Sequence, residues 1–324
     1  MDPAKFFAAS RVVIVAGKGG VGKTTVTGAL ALAASRAGRS TLILEVEGKS
    51  GLASMFGTEP MSYEEVELSS ADPASGRAPV AARALTPDDA LLEYFRDHGM
   101  SRLSRRLVNS GALDMVSTAI PGIRDIVVLA KLKQLEQANA ADLIVLDAPA
   151  AGHAITFLQS PRGLVDAVKV GPINTQARDV LELLNDAQRC QVMLVTLPEE
   201  TPVNELVETA FSLEDKVGVA LGPVVVNGLY PPRPGLDVDP QDAADAAGAS
   251  LRQGERHALA AAAGFRRKRM ELQEAQLARL AARLPLPQLR LPYLFDTELG
   301  PEQVALLADE LTADVQALEE AQSA

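Results

Sequence analysis

Short apolar runs recur along the chain and predict the strands of a buried sheet. Each run holds three or four mostly aliphatic residues followed by glycine or polar residues, which is typical of parallel strands covered on both faces. Between the first two runs, residues 24–37 predict a helix that Gly38 is placed to end. The predicted strands are 12–15, 41–44, 143–146, 192–195 and 224–226. Parallel strands separated by helices predict an α/β fold with a doubly wound, mainly parallel sheet.

The residues outside these runs predict helices and loops around the sheet. Residues 58–85 are mixed and rich in turn residues, whereas 87–138 carries apolar residues at helical spacing. We therefore expect one domain over 1–324, with a mostly helical insertion subdomain over 58–140. Toward the end of the chain we expect a proline-rich loop at 230–242, a helix over 243–283, a strand near 289–291 and an acidic amphipathic helix from Pro301.

Net charge narrows the classes of partner. The 324 residues include 31 Lys and Arg against 42 Asp and Glu, so the formal net charge is −11. Tight, sequence-independent binding to nucleic acid or anionic lipid relies on basic residues, so we expect no nucleic acid partner. A local basic cluster at 266–269 is interpreted as the solvated face of a helix.

The apolar pattern and the cysteine count bear on compartment and metal class. No stretch approaches the roughly 18 to 20 uninterrupted apolar residues that a membrane helix needs, so we expect no direct membrane insertion. Charged residues interrupt the N-terminal apolar stretch, which is unlike a secretory signal, and the cytoplasm is the expected compartment. Cys190 is the single cysteine, which leaves no partner for an intramolecular disulfide and no cysteine cluster for zinc.

A glycine-rich segment directly after the first predicted strand carries the strongest chemical signal. It satisfies the pattern G-x-x-x-x-G-K-T and precedes a predicted helix, which is the context expected of a phosphate-binding loop. Backbone N–H groups of such a loop and the N-terminus of its helix bind phosphate oxygens. We expect Lys23 to reach the β- and γ-phosphates of ATP and the Thr24 hydroxyl to bind Mg²⁺. The predicted nucleotide-binding residues of this loop are Gly17, Lys18, Gly19, Gly20, Val21, Gly22, Lys23, Thr24 and Thr25.

The second lysine of this loop, Lys18, points to a particular class of ATPase. It makes the segment resemble the deviant phosphate loop K-G-G-x-G-K-[ST] of dimeric ATPases. That class includes the MinD and ParA types, the nitrogenase iron protein, and the arsenite-pump and tail-anchored-protein-targeting ATPases. The resemblance implies that Lys18 reaches across a dimer interface to the partner's nucleotide, and that closure of the dimer depends on ATP.

Residues 147–158 indicate which branch of the class is involved. Asp147 leaves a predicted buried strand beside the phosphate loop, where a carboxylate can hold a magnesium-bound water. The segment resembles the switch II motif D-T-A-P-T-G-H-x-x-R-L-L of ArsA-type ATPases, without the first Thr and with Thr156 at the Arg position. Residues 121–125 are similar to the family's P-G-I-D-E, and 226–229 resemble V-N-Q-L, which implies that Asn227 hydrogen-bonds adenine. The chain is identified as a member of the ArsA-type family, in its bacterial homologue branch.

Switch I departs from the family pattern at one catalytic position. Glu47 stands where the family has an aspartate that orients the attacking water. A glutamate can still orient water, but about 1 Å of misplacement costs on the order of a hundredfold in rate. We therefore expect ATP hydrolysis that is slow for the chain alone or that needs another subunit, and Glu47 as a solvated residue after a strand is the simpler alternative.

Two further departures concern zinc and the client. The C-x-x-C zinc site that joins the targeting ATPases is replaced by Ala-Ala-Ala-Gly-Phe at 261–265, so we expect no zinc. Cys190 alone is a poor ligand set for arsenite, because soft metalloids need several sulfurs. The helical part of the predicted insertion, 87–138, contains only Met100 and Met115, in place of a Met-rich client groove, and a protein client is left open.

These observations favour a magnesium-dependent P-loop ATPase that acts as a nucleotide-gated dimer. The partner is expected to be a second copy or, given Glu47, a related ATPase subunit. One alternative is a nucleotide-sensing regulatory subunit with little hydrolysis. Another is a MinD- or ParA-like positioning ATPase, although the acidic C-terminal segment is unlike a membrane-seeking basic tail.

Overall fold

An eight-stranded sheet forms the centre of the molecule in a computed structural model that describes residues 1–46, 51–97 and 122–322. The strands are β1 (Val12–Gly17), β2 (Thr41–Glu45), β3 (Val66–Ser69), β4 (Val80–Ala84), β5 (Leu143–Ala150), β6 (Cys190–Thr196), β7 (Val224–Leu229) and β8 (Gln288–Pro292). Their order across the sheet is β3-β4-β2-β5-β1-β6-β7-β8. Neighbouring strands are parallel except β3, which is antiparallel to β4. The predicted α/β fold with a mainly parallel sheet is confirmed.

Helices cover both faces of this sheet and complete two hydrophobic cores. The described helices are α1 (Pro3–Phe6), α2 (Lys23–Arg36), α3 (Gly51–Phe56), α4 (Pro87–Asp97), α5 (Ile123–Gln137), α6 (Ala151–Ala167), α7 (Pro172–Asn185), α8 (Glu200–Lys216), α9 (Pro240–Ala246), α10 (Glu255–Arg283) and α11 (Pro301–Gln322). One core packs α1, α2, α3 and α11 against one face, and the other packs α5 to α8 with the end of α10 against the opposite face. All six residues of β1 are buried between them, which places the loop that follows β1 at the centre of one sheet edge.

Two strands within 58–140 were not predicted. Both β3 and β4 extend the main sheet beyond β2, so this part of the chain is sheet as well as loop. The sequence of β4, Val-Ala-Ala-Arg-Ala, is poor in the β-branched residues that signal a strand. Its Arg83 is buried because the guanidinium stacks over the Tyr63 ring at 4.3 Å from the ring centroid.

Other predictions in this range have mixed outcomes. The helical spacing over 87–138 matches α4 and α5, while residues 98–121, with Met100 and Met115, lie outside the described residues. A separate helical subdomain over 58–140 therefore stays a prediction.

The predicted helix over 243–283 is two helices. Residues 247–254 separate α9 from α10, and this break contains Gly248 (φ +65°) and Gly254 (φ +88°) in the left-handed region. Gly248 follows the last turn of α9, where a left-handed glycine commonly ends a helix, and Gly254 is the N-cap residue of α10. An alanine-rich composition on both sides conceals the break in the sequence. The last strand and the helix from Pro301 are present as predicted. None of the described helices is long and apolar enough to cross a membrane.

Candidate functional site

The predicted phosphate loop connects β1 to α2 at the carboxyl edge of the sheet. Gly17 ends β1, and a Cβ at this position would lie 2.5 Å from the Val195 carbonyl oxygen, so the close approach of β6 requires glycine. Gly20 (φ +84°) and Gly22 (φ +88°) adopt left-handed backbone conformations within the loop. Lys23 then begins α2, so the loop leads directly into a helix N-terminus. This is the geometry that binds the phosphates of a nucleotide.

The two predicted magnesium residues meet beside this loop. The Thr24 hydroxyl donates a hydrogen bond of 2.6 Å to Oδ2 of Asp147. Asp147 lies in β5 and is 8% exposed, while Thr24 lies in the first turn of α2. A hydroxyl and a carboxylate oxygen at this separation are hard ligands of the kind that Mg²⁺ takes together with nucleotide phosphates. The arrangement therefore fits the metal that the sequence predicts.

A second buried carboxylate lies at the same edge and was not predicted. Glu45, the last residue of β2, pairs in register with Asp147 of β5 and is 3% exposed. The apolar run that predicts β2 ends one residue earlier, so Glu45 reads as the first residue of a loop. The sequence feature that predicted Asp147, a carboxylate at the end of a buried parallel strand, could also have predicted Glu45. The predicted catalytic residue Glu47 lies two residues further on, outside the described residues.

The two lysines of the loop have different partners. Nζ of Lys23 donates to the backbone carbonyl of Lys18 at 3.3 Å, across the mouth of the loop. Nζ of Lys18 forms an ion pair with Oε1 of Glu205 in α8, and the Lys18 side chain is half-exposed. Glu205 is one of several acidic residues along α8, and nothing in its local sequence distinguishes it as a site residue.

Asn227 reaches the same loop from β7. Its side-chain Nδ2 donates a 3.0 Å hydrogen bond to the carbonyl of Val21. A Cβ on Gly22 would lie only 2.3 Å from that Nδ2 atom, so the asparagine side chain packs tightly against the loop. The predicted site residues from β1, α2, β5 and β7 thus lie at one edge of the sheet, while Glu47 stays untested.

The segments similar to P-G-I-D-E and switch II are neighbours in the structure. Asp125, in the first turn of α5, is about half-buried, and this burial raises the pKa of its carboxyl. The nearby His153, in the first turn of α6, lowers the same pKa by its charge, although burial has the larger effect. The start of α5 therefore lies against α6, where a Cβ on Gly122 would come within 3.2 Å of the Ser160 side chain.

Comparison with known proteins shows the family of the chain. The profile of a family described as "Anion-transporting ATPase" matches residues 10–174, which include the phosphate loop, β5 and Asp147. "ATPase BagA" of Mycobacterium tuberculosis is 34% identical over 279 residues, covering 83% of this chain and 77% of that protein. "ATPase get3" of Botryotinia fuckeliana is 26% identical over 215 residues, covering 65% of this chain and 58% of that protein. The chain therefore belongs to the ArsA-type family of P-loop ATPases and is an ATP-hydrolysing enzyme.

Proposed function

We propose that this ATPase depends on magnesium and works as a dimer whose closure is gated by ATP. The observation that carries the magnesium part is the 2.6 Å hydrogen bond from Thr24 to Asp147 next to the phosphate loop. When bound, Mg²⁺ supplies positive charge that offsets the charge on the β- and γ-phosphates. Thr24 would hold it directly, and Asp147 would accept hydrogen bonds from its water ligands.

The remaining residues divide the work of binding and orientation. Backbone N–H groups from Gly19 to Thr25 hold phosphate oxygens, and Lys23 moves from the Lys18 carbonyl to the β- and γ-phosphates. Glu47 orients the attacking water as a carboxylate that accepts its proton. Asn227, already packed on the loop, contacts the adenine end of the nucleotide. This assignment makes hydrolysis depend on positioning and charge, as in other phosphoryl transfers.

The magnesium assignment is tested by Thr24→Val, with Thr175→Val as a matched control. Thr175 is exposed in α7, and its hydroxyl bonds only the Gly171 carbonyl among the contacts described. Loss of the Thr24 oxygen should raise the Mg²⁺ concentration for half-maximal ATPase activity by at least about 10- to 100-fold. The control should match the native chain. An unchanged Mg²⁺ requirement in Thr24→Val would exclude this residue from the metal site.

Gating by a dimer is supported by the position of Lys18. Its half-exposed ammonium group lies at the mouth of the loop and is neutralised by Glu205 of the same chain. In the proposed dimer, Lys18 leaves Glu205 and contacts the partner's nucleotide, so ATP binding and subunit association stabilise each other. The partner is a second copy or a related ATPase subunit.

A mixing experiment distinguishes action between subunits from action within one chain. Lys18→Ala keeps the Lys23 of its own nucleotide site but lacks the lysine that contacts the partner's nucleotide. Lys23→Ala lacks the lysine of its own site but keeps the Lys18 that contacts the partner's nucleotide. An equal mixture should recover about a quarter of native activity, because half of randomly formed dimers are mixed and each has one complete site. No recovery, with both variants dimeric in sedimentation, would overturn action between subunits. Monomers under all nucleotide conditions would instead favour a related ATPase as the partner.

The rate of hydrolysis separates an ordinary ATPase from a nucleotide-sensing subunit. Glu47→Asp restores the family's residue, so a large rate gain would favour a sensor with weak native turnover. Native ATP turnover at an ordinary rate that is abolished by Lys23→Ala would favour an ordinary ATPase.

A positioning ATPase with a membrane-seeking tail has less support, because α11 buries Val304, Leu307 and Leu311 against the protein. A protein client and a cytoplasmic location remain predictions.

A further inference from the structure

Several of the exposed apolar side chains line one groove. Among the described residues, nine large apolar or aromatic side chains are exposed, and four of them line this groove: Val238, Leu259, Phe265 and Phe295. The groove has a volume of about 710 Å³ and lies between the loop that follows β7, α9 and the first half of α10. Exposed apolar clusters of this kind mark binding surfaces more often than isolated apolar residues do.

One wall of the groove is an open face of α10. Leu259 is 49% exposed and Phe265 is 68% exposed, and the small side chains Ala262 and Ala263 lie between them. Residues at spacings of three and four lie on one side of a helix, so these positions form a single ridge. Such a ridge with small residues in the middle lets another helix approach closely.

The end of the groove is aromatic and cationic. The rings of Tyr230, Tyr293 and Phe295 pack against one another in edge-to-face and tilted arrangements, with centroids 4.8–5.4 Å apart. The Arg266 guanidinium lies over Tyr230 and Phe295, at 5.4 Å and 5.2 Å from the ring centroids. This stacking holds the guanidinium in place, and a hydrogen bond of 2.8 Å from Nη2 to the Pro231 carbonyl adds to it.

The charged side chains that line the groove are Arg233 and Arg266, whereas Asp237, Asp239, Asp242 and Asp245 lie next to lining residues in the sequence without lining it themselves. Nε of Arg266 is buried and has no hydrogen-bond acceptor among the described residues. The nearby Asp239 carboxylate already accepts from Arg256 and from the backbone N–H of Gln241. A buried donor without an acceptor is costly, and an incoming carboxylate would satisfy it with a charge-assisted bond.

We propose that this groove binds an amphipathic helix of a partner protein, with apolar residues on one face and a carboxylate beside them. The apolar face packs along Leu259 and Phe265, and the carboxylate accepts from Arg266. A basic helix is disfavoured because it would bring its charge against two arginines. The aromatic end of the groove adjoins the end of β7, because a Cβ on Gly228 would lie 3.7 Å from the Tyr293 ring. The α10 wall includes 262–265, where the targeting ATPases carry part of the zinc motif that joins their subunits, so the oligomeric state is measured in the test below.

The test uses full-length protein and two synthetic peptides of about 18 residues, enough for five helical turns. Both share one leucine-rich face, and the polar face carries glutamates in one peptide and lysines in the other. Fluorescence anisotropy should show saturable binding of one glutamate peptide per chain, at least about tenfold tighter than the lysine peptide. Absence of saturable binding, or equal affinity for both peptides, would overturn the proposal.

Three variants locate the binding. Phe265→Ser and Arg266→Gln should each weaken the glutamate peptide by at least about tenfold, with native circular dichroism. Leu272→Ser is the matched control, because Leu272 is 60% exposed on the same helix but does not line the groove. Equal weakening by the control would contradict the site. A change in oligomeric state with Phe265→Ser, without a change in peptide affinity, would assign the groove to a second copy of this chain and overturn the proposal.

Discussion

Replacing Gly22 by alanine should destabilise the phosphate loop more than the same replacement at Gly20. Both glycines have left-handed backbone conformations, with φ of +84° at Gly20 and +88° at Gly22. Each substitution by alanine therefore costs about 1–2 kcal/mol of folding stability through backbone strain. The two positions differ in the room available to a Cβ atom. A Cβ on Gly20 would have no atom within 4 Å, whereas a Cβ on Gly22 would lie 2.3 Å from Nδ2 of Asn227. The pair thus separates backbone strain from a steric clash.

The expected excess for Gly22→Ala comes from two contributions. Displacing the asparagine breaks its bond to the Val21 carbonyl, which contributes about 0.5–1.5 kcal/mol. Crowding of a packed site contributes roughly 1–3 kcal/mol, reduced by whatever movement the side chain allows. We expect Gly22→Ala to lower the free energy of unfolding by about 2 kcal/mol more than Gly20→Ala does.

Urea denaturation of the nucleotide-free protein, followed by circular dichroism, measures this difference through the transition midpoint at constant slope. Asn227→Ala completes a double-mutant cycle, because it removes the atom that the new Cβ would meet. The excess cost of Gly22→Ala should largely disappear in that background, giving a coupling energy of about 1–2 kcal/mol. Equal destabilisation by the two glycine variants, or full additivity with Asn227→Ala, would refute the contact as the cause.

Three further predictions concern ionisable groups and the buried thiol. Glu205→Gln should release Lys18 and shift ATP-dependent dimerisation to lower protein concentration in sedimentation, whereas Glu208→Gln, exposed on the same helix, should not. Glu136→Gln should lower the unfolding free energy by about 2–4 kcal/mol, because this 4%-exposed carboxylate neutralises two arginines; an unchanged urea midpoint would contradict it. Burial raises the pKa of the Cys190 thiol to about 12, so the thiol stays protonated at pH 8. Iodoacetamide should therefore label Cys190 only after the protein unfolds, and mass spectrometry measures this labelling.

Much of the nucleotide site was predictable because its signals are local. A strand, a glycine loop and a helix start follow one another within residues 12–36, and backbone N–H groups do the binding. Asp147 was predictable for a similar reason, since a carboxylate that leaves a buried parallel strand reaches the shared sheet edge. Its hydrogen bond with Thr24 follows from strand order, which places β5 beside β1.

The features that the sequence did not predict depend on contacts between residues far apart in the chain. The sequence of β4 lacks β-branched residues after its first position, and its pairing with β2 and β3 makes it a strand. The pairing of Lys18 with Glu205 joins residues far apart in the chain, and an acidic residue on a helix is ordinarily a solvated one. The exposed groove is equally non-local, since Phe265 and Phe295 look like core residues until burial is known.

By itself, the sequence determined the α/β class, the five central strands, the phosphate loop and the family that these features imply. Those properties rest on periodicity and short motifs, which act within a few residues of each other. The tertiary structure alone decided the sheet edge built from β3 and β4, the place of Glu45 opposite Asp147, and which apolar residues stay exposed. Such facts depend on which distant segments pack together, and that packing is chosen by the burial of the whole chain.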